Sequence, residues 1–395
     1  MSDPVQVPDG WKSKQLGEIA DIIMGQSPPS STYNTSREGL PFYQGKADFG
    51  AKYSVTRFWC SEPAKVAPSN AILFSVRAPV GDVNLTIGEC CIGRGLSAIL
   101  GTKAENNFLY QYIQHFKSDF LLLSQGSTFE AINGTELKQF PVSLPPLPEQ
   151  KKIASILTSV DDVIEKTEAQ ISKLQDLKKG MMTELLTKGI GHTEFNDSPV
   201  GRIPRSWEVV DLLDVINIQN GQVDPRIEPY KSMILVAPNH VESNTGRLIE
   251  KSTADCQSAI SGKYFCPLNT VIYSKIRPKL KKAVLVNFEC ICSADMYPFI
   301  CTDKITPIFL YNTILDERFS NFASTVSERS NIPKINRIEL KEFLLALPPV
   351  TEQDRICEII TSIHKNIESK QTRLRKTKAL KKALMNDLLT GKVRV

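Results

Sequence analysis

The sequence predicts a mixed α/β (α+β) protein. Two globular domains are separated by a long antiparallel two-helix coiled coil, built as an internal pseudo-twofold repeat. Three observations carry this. The stretch Leu144–Thr187 recurs without a gap 203 positions later, as Leu347–Thr390, with 19 of 44 positions identical. Both copies space their apolar residues alternately by three and four, the seam of a coiled coil. The stretches that begin each globular part also match: VPDGWKSKQLGEIADIIMGQ (Val7–Gln26) pairs with IPRSWEVVDLLDVINIQNGQ (Ile203–Gln222). A repeat this clear sets the architecture before any local reading.

In chain order, the first globular domain spans residues 1–147. Its run AILFSVR (Ala71–Arg77) is β-branched and aromatic and reads as a buried strand, and 107–123 reads as a helix. The first long helix occupies 148–190. It is entered through LPPLPEQ (Leu144–Gln150), where proline suits a first turn that has no use for the missing N–H. Its seam is Ile153, Leu157, Val160, Ile164, Ile171, Leu174, Met181 and Leu185. Residues 191–347 hold a linker rich in Gly, Pro and polar residues up to Pro204, and then the second domain. There TVIYSKIR (Thr270–Arg277) is the matching strand and 310–322 the matching helix. LPPVTEQ (Leu347–Gln353) opens the second long helix, 348–395. Ile356, Ile360, Ile363, Ile367, Leu374, Leu384 and Leu388 form its seam. Thr167, Lys178, Lys370, Thr377 and Lys381 interrupt the stripe. Each helix is about 39 residues, roughly 58 Å at ~1.5 Å per residue, and burying both seams requires the two copies to pack together.

A chain of 395 residues with 41% hydrophobic content supports more than one core. No apolar run approaches the ~18 residues of a membrane span, and MSDPVQVPDGWKSK lacks a signal-peptide core, so a cytoplasmic, reduced setting is expected. The nine cysteines show no CxxC pair and no zinc spacing. The net charge of +5 is local: residues 348–395 carry 11 basic and 5 acidic side chains, and the rest of the chain nearly balances. Catalytic signatures are missing. There is no GxxxxGK[ST] phosphate loop, no glycine-rich nucleotide turn and no Asn/Asp-Pro-Pro-aromatic methyltransferase motif, and the four histidines are scattered.

Cationic and amide residues beside strand ends point instead to nucleic acid. KIRPKLKK holds Lys275, Arg277, Lys279, Lys281 and Lys282 around a proline turn, the composition of a phosphate clamp. Gln44 and Lys46 pair a base-edge reader with a phosphate binder. Arg77, Arg94, Gln125, Ser127, Asn239, His240, Arg329 and Asn331 fall in loops of similar character. The bland alternative for any one of them is a solvated loop charge or a structural ion pair.

Two variable domains, each followed by an LPP-x-x-EQ…LLT helix, resemble the specificity (S) subunit of Type I restriction–modification systems. ILFSVRAPVGD, CIGRGLSAI (Cys91–Ile99), YSKIRP and SADMYP (Ser293–Pro298) add to the resemblance, which covers essentially the whole chain. It implies that the globular parts are target-recognition domains, each reading half of a bipartite double-stranded DNA site. The helices would then fix the separation of the halves and bind two methyltransferase (M) subunits, through which restriction (R) subunits join. The chain would be non-catalytic and bind no cofactor: S-adenosylmethionine belongs to the M subunit, ATP and Mg to the R subunit. The competing readings are a coiled-coil scaffold that binds only protein, and a stand-alone methyltransferase or nuclease with an unrecognised active site.

Overall fold

The computed structural model describes residues 7–124, 131–327 and 333–395. The chain divides into two compact units, 1–169 with 371–395, and 170–370. The long helices run Leu147–Lys188 and Val350–Leu389, 42 and 40 residues. Each unit therefore contains half of both helices, a division that the linear reading of the chain does not make.

Pairing within each unit is antiparallel. In the first unit Lys381 reaches Asp161 at 2.7 Å and Lys378 reaches Glu168 at 2.6 Å, so one number rises as the other falls. In the second, Lys370 bonds Gln170 at 2.8 Å and Lys178 lies 3.4 Å from His364. Every seam residue is buried or half-buried. Ile153 and Leu157 join a core with Met385, Leu388 and Leu389, and Met182, Leu185 and Leu186 join one with Ile356, Cys357 and Ile360. The polar interruptions are half-buried too. Lys381 is satisfied by Asp161 and by the Gln114 amide oxygen at 3.0 Å.

The LPP-x-x-EQ motif ties each helix to its own domain. Gln150 donates to the Pro145 carbonyl and accepts the Glu105 N–H, both at 2.8 Å, and Glu105 is the N-cap of helix Asn106–His115. Gln353 repeats this with the Pro348 carbonyl at 2.9 Å and the Thr306 N–H at 2.8 Å, Thr306 being the N-cap of Pro307–Leu315. Glu149 accepts the Trp11 indole N–H at 3.2 Å and the Arg394 guanidinium at 2.7 and 2.8 Å. Glu352 accepts the Trp207 indole at 3.0 Å and lies 2.7 Å from His192 Nε2. A glycine at positive φ ends each helix, Gly189 at +65° and Gly391 at +70°. A side chain there would strike Trp207 and Glu352 in one unit and Pro8 in the other.

Both globular parts use one sheet plan. The first has an antiparallel sheet ordered Ala20–Met24, Leu96–Gly101, Ile72–Ser75, Val83–Leu85; the second has Ile216–Ile218, Met296–Cys301, Val271–Ser274, Ala283–Leu285 in the same order. The correspondence extends into the middles, where the sequences diverge. Leu40–Tyr43 pairs in parallel with Cys90–Ile92, as Leu235–Val236 does with Cys290–Cys292. Each expected single helix is two. Residues 106–115 and 117–124 are separate, and so are 307–315 and 317–327, because the chain turns at Phe116 and Asp316 to cover the sheet. The linker is not featureless: Phe195–Ser198 and Gly201–Pro204 form a hairpin.

Candidate nucleic-acid interface

In the first unit, hydrogen bonds bring the expected residues to one loop cluster. The Gly93 N–H donates to the Tyr43 carbonyl at 2.8 Å, which seats the Gln44–Lys46 turn against Gly93–Arg94–Gly95. A Cβ on Gly93 would meet Gln44 Cγ at 3.0 Å and one on Gly95 the Gln44 carbonyl at 2.4 Å, so glycine on both sides of Arg94 is a packing requirement. Val76 donates to the Gly95 carbonyl at 3.0 Å, which brings Arg77 to the same end. Gln44, Arg77 and Arg94 are exposed. Lys46 is exposed but engages Asp82 at 2.8 Å, beside Lys117 at 2.6 Å. Burial raises the Asp82 pKa, but these two ammoniums outweigh it and hold the carboxyl below its ordinary value. One carboxylate between two lysines leaves the cluster cationic.

The second unit corrects several expectations. His240 is buried, 3% exposed, and its Nδ1 takes the Ala237 N–H at 3.2 Å. Asp48 does the same in the first unit, accepting the Gln44 N–H at 2.7 Å. Both side chains close a short 3-10 turn, Lys46–Asp48 and Pro238–His240, so His240 serves the backbone rather than facing a ligand. The KIRPKLKK turn is not a five-cation clamp. Lys281, 14% exposed, is held by Glu317 at 2.9 Å, and Lys282 donates to the Pro238 carbonyl at 2.6 Å. Arg277 and Lys281 take left-handed φ of +50° and +46°, the turn geometry that directs these two lysines inward. Asn239, Arg277 and Lys279 remain exposed. Lys275 is half-buried over the Tyr297 ring, 5.1 Å from its centroid. Gln125, Ser127, Arg329 and Asn331 lie outside the described residues.

Sequence reasoning missed the partners of Lys275. Lys334 bridges the strand end through Ile276, and the Arg337 guanidinium also lies over Tyr297, 5.8 Å from the centroid. Arg337 is fixed by the Asn220 amide oxygen and, at 3.2 Å, by the Gln219 carbonyl. The 203-residue offset supplies a signal that finds two of them, since Lys334 and Arg337 fall opposite Ala131 and Gly134.

Among the described residues no group of three or more His, Cys, Asp or Glu could hold a metal, and no helix is long and apolar enough to cross a membrane. All nine cysteines are free, and Cys256 is exposed. Burial pushes the Cys90 thiol up to about 12.

Comparison with known proteins agrees with this architecture. The model of the Type I restriction modification DNA specificity domain matches twice, over residues 8–176 and 204–379. The MjaVIII specificity subunit of Methanocaldococcus jannaschii is 30% identical over 99% of this chain and 95% of its own length. The EcoDI specificity subunit of Escherichia coli is 26% identical over 89% and 80%. A third relative, named as the MjaX specificity subunit of M. jannaschii, is 43% identical over 46% of this chain; the match spans 44% of that relative, under half its length. Two solved structures share the fold. A crystal structure of a Type I S subunit from M. genitalium has a TM-score of 0.62 at 12% identity, covering 98% of both chains. A chain from a study of type I restriction–modification complex assembly has 0.61 at 17%, covering 99% of this chain and 100% of that one. With two matches to the domain that together span most of the chain, and a relative matched over 95% of its length, the chain belongs to the family of Type I restriction–modification DNA specificity subunits.

Proposed function

We propose that each globular part reads one half of a bipartite double-stranded DNA target, and that the chain directs adenine methylation and restriction by partner subunits without catalysing either. The observation that carries this is one sheet plan used twice with unlike loop residues. A shared scaffold holds both readers in the same way, while the divergent loops give each its own surface. Two methyltransferase subunits carrying S-adenosylmethionine dock on the repeated helices. Restriction subunits using ATP and Mg join through them, in the cytoplasm. The family membership and the absence of a cofactor motif in the sequence support a non-catalytic role.

The test is methyl transfer from labelled S-adenosylmethionine. The chain alone should transfer nothing. With its M subunits it should methylate adenine in a two-part motif, and that motif should vanish from the host's methylation pattern when the gene is deleted. Transfer by the chain alone would establish the enzyme reading; an unchanged methylation pattern would favour the protein-only scaffold.

A further inference from the structure

The two units can be matched at one strand end through backbone hydrogen bonds that both make. Val76 donates to Gly95 as Lys275 does to Asp295, both at 3.0 Å; Ile132 donates to Val76 and Ile335 to Lys275, both at 2.9 Å. The Arg77–Ala131 bridge corresponds to Ile276–Lys334. Five positions at this strand end can then be compared. The first unit has Met24, Val76, Ser97, Ala131 and Gly134, and Met24 Cγ lies 3.1 Å from where a Gly134 side chain would begin. The second has Asn220, Lys275, Tyr297, Lys334 and Arg337. Small or apolar residues in one unit are thus replaced by three cations, an amide and an aromatic ring in the other.

We infer that Lys275, Lys334 and Arg337 form a binding site for a DNA backbone phosphate, present in the second unit and lacking in the first. The inference rests on the DNA-reading function proposed above. Among the described residues, no ion pair joins any of the three to a carboxylate, whereas other cations of the same unit are paired: Lys281 with Glu317, Arg226 with Asp224, Arg247 with Glu242. Burial first, and then Lys334, push the Lys275 ammonium below the ordinary lysine value; Asp295 opposes this and Arg337 adds to it. Cations crowded in this way are relieved by an anion. Arg337, Gln219 and Asn220 also line an open cleft of about 530 Å³. A phosphate is favoured over a guanine edge by the state of the Arg337 fork. Two of its nitrogens already bond Asn220 and Gln219, and a bidentate guanine contact needs that fork free. What remains is positive charge and two flexible ammoniums, which suit a phosphate.

The test uses the complex of this chain with its M subunits and a duplex carrying the motif that the wild-type complex methylates. Affinity is measured across a salt series. Lys334→Ala should lower the slope of log affinity against log salt, and Lys275→Ala with Lys334→Ala should lower it by about one in all, at ~0.9 for the one phosphate lost. The methylated motif should stay the same. Lysine-to-arginine variants at both positions should restore the slope. Lys334 is exposed, so the single variant is compatible with the fold. An unchanged slope would overturn the inference, and so would a motif altered in the second unit's half, which would mean base reading. A wild-type complex with no methylated motif would refute the underlying functional reading itself.

Discussion

Glu149 and Glu352 do the same work in the two units. Each takes a tryptophan indole N–H and a second group that follows the other long helix, Arg394 in one case and His192 in the other. A hydrogen bond from Arg394 holds the Glu149 carboxyl below its ordinary value; burial opposes the shift, and the Arg394 charge and Trp11 add to it. A lowered acid contributes stability that is present above the ordinary glutamate range and lost as pH falls through the lowered value. Replacing Glu352 with Ala leaves the Trp207 N–H without its acceptor and should cost roughly 1–3 kcal/mol, read as a fall in the denaturant midpoint. An unchanged midpoint would show that the motif's glutamate is not a fastener. Tyr273 makes the opposite case. Its ring is in the core, 1% exposed and edge-on to Phe319, yet its hydroxyl has no partner among the described residues. The first unit places Phe74 at this position, edge-on to Phe120. Tyr273→Phe should therefore raise stability by about 1 kcal/mol, and a lowered midpoint would reveal a bond that the hydroxyl makes.

The long helices were the most legible elements, because a seam of spacing three and four over some forty residues has no rival interpretation. The role of their polar interruptions was not legible, because it depends on residues nearly two hundred positions away. Lys381 faces Asp161 in the first unit. The equivalent Lys178 faces His364, which sits 3.5 Å from Glu368. Burial, and then Lys178, lower the His364 pKa, with Glu368 opposing. A histidine with a lowered folded pKa stabilises fully above its unfolded value, ~6.5. That contribution is lost as pH falls from there through the folded value. Replacing His364 with Asp recreates the ion pair of the first unit. It should add a few tenths to about 1 kcal/mol at neutral pH and lessen the loss of stability between pH 8 and 5.5. His115, lowered chiefly by burial, titrates in the same sense in both proteins, so the difference between wild type and variant isolates His364. A variant less stable at neutral pH would contradict the pairing.

At the scale of the molecule, the repeat showed in the motifs that bolt helix to domain: Trp11 and Trp207, Glu149 and Glu352, Gln150 and Gln353. The common sheet plan did not, because its strands are three to six residues long and the loops between them diverge. Short strands carry too few residues for alternation to be read. The parallel pairings also join segments about fifty residues apart, a separation that no local pattern reports. The candidate interface was half legible. Gln44, Arg77 and Arg94 emerge together and exposed. His240, Lys281 and Lys282 turn inward to serve the fold, and charge alone does not distinguish a cation held by Glu317 from one facing solvent. The central claim is that one scaffold presents two independent readers. It is tested most directly by exchanging residues 204–346 for the corresponding part of a related subunit of different specificity, and mapping methylation by the complex. One half of the motif should change while the other stays as it was; a change in both halves, or in neither while the complex remains active, would contradict modular reading.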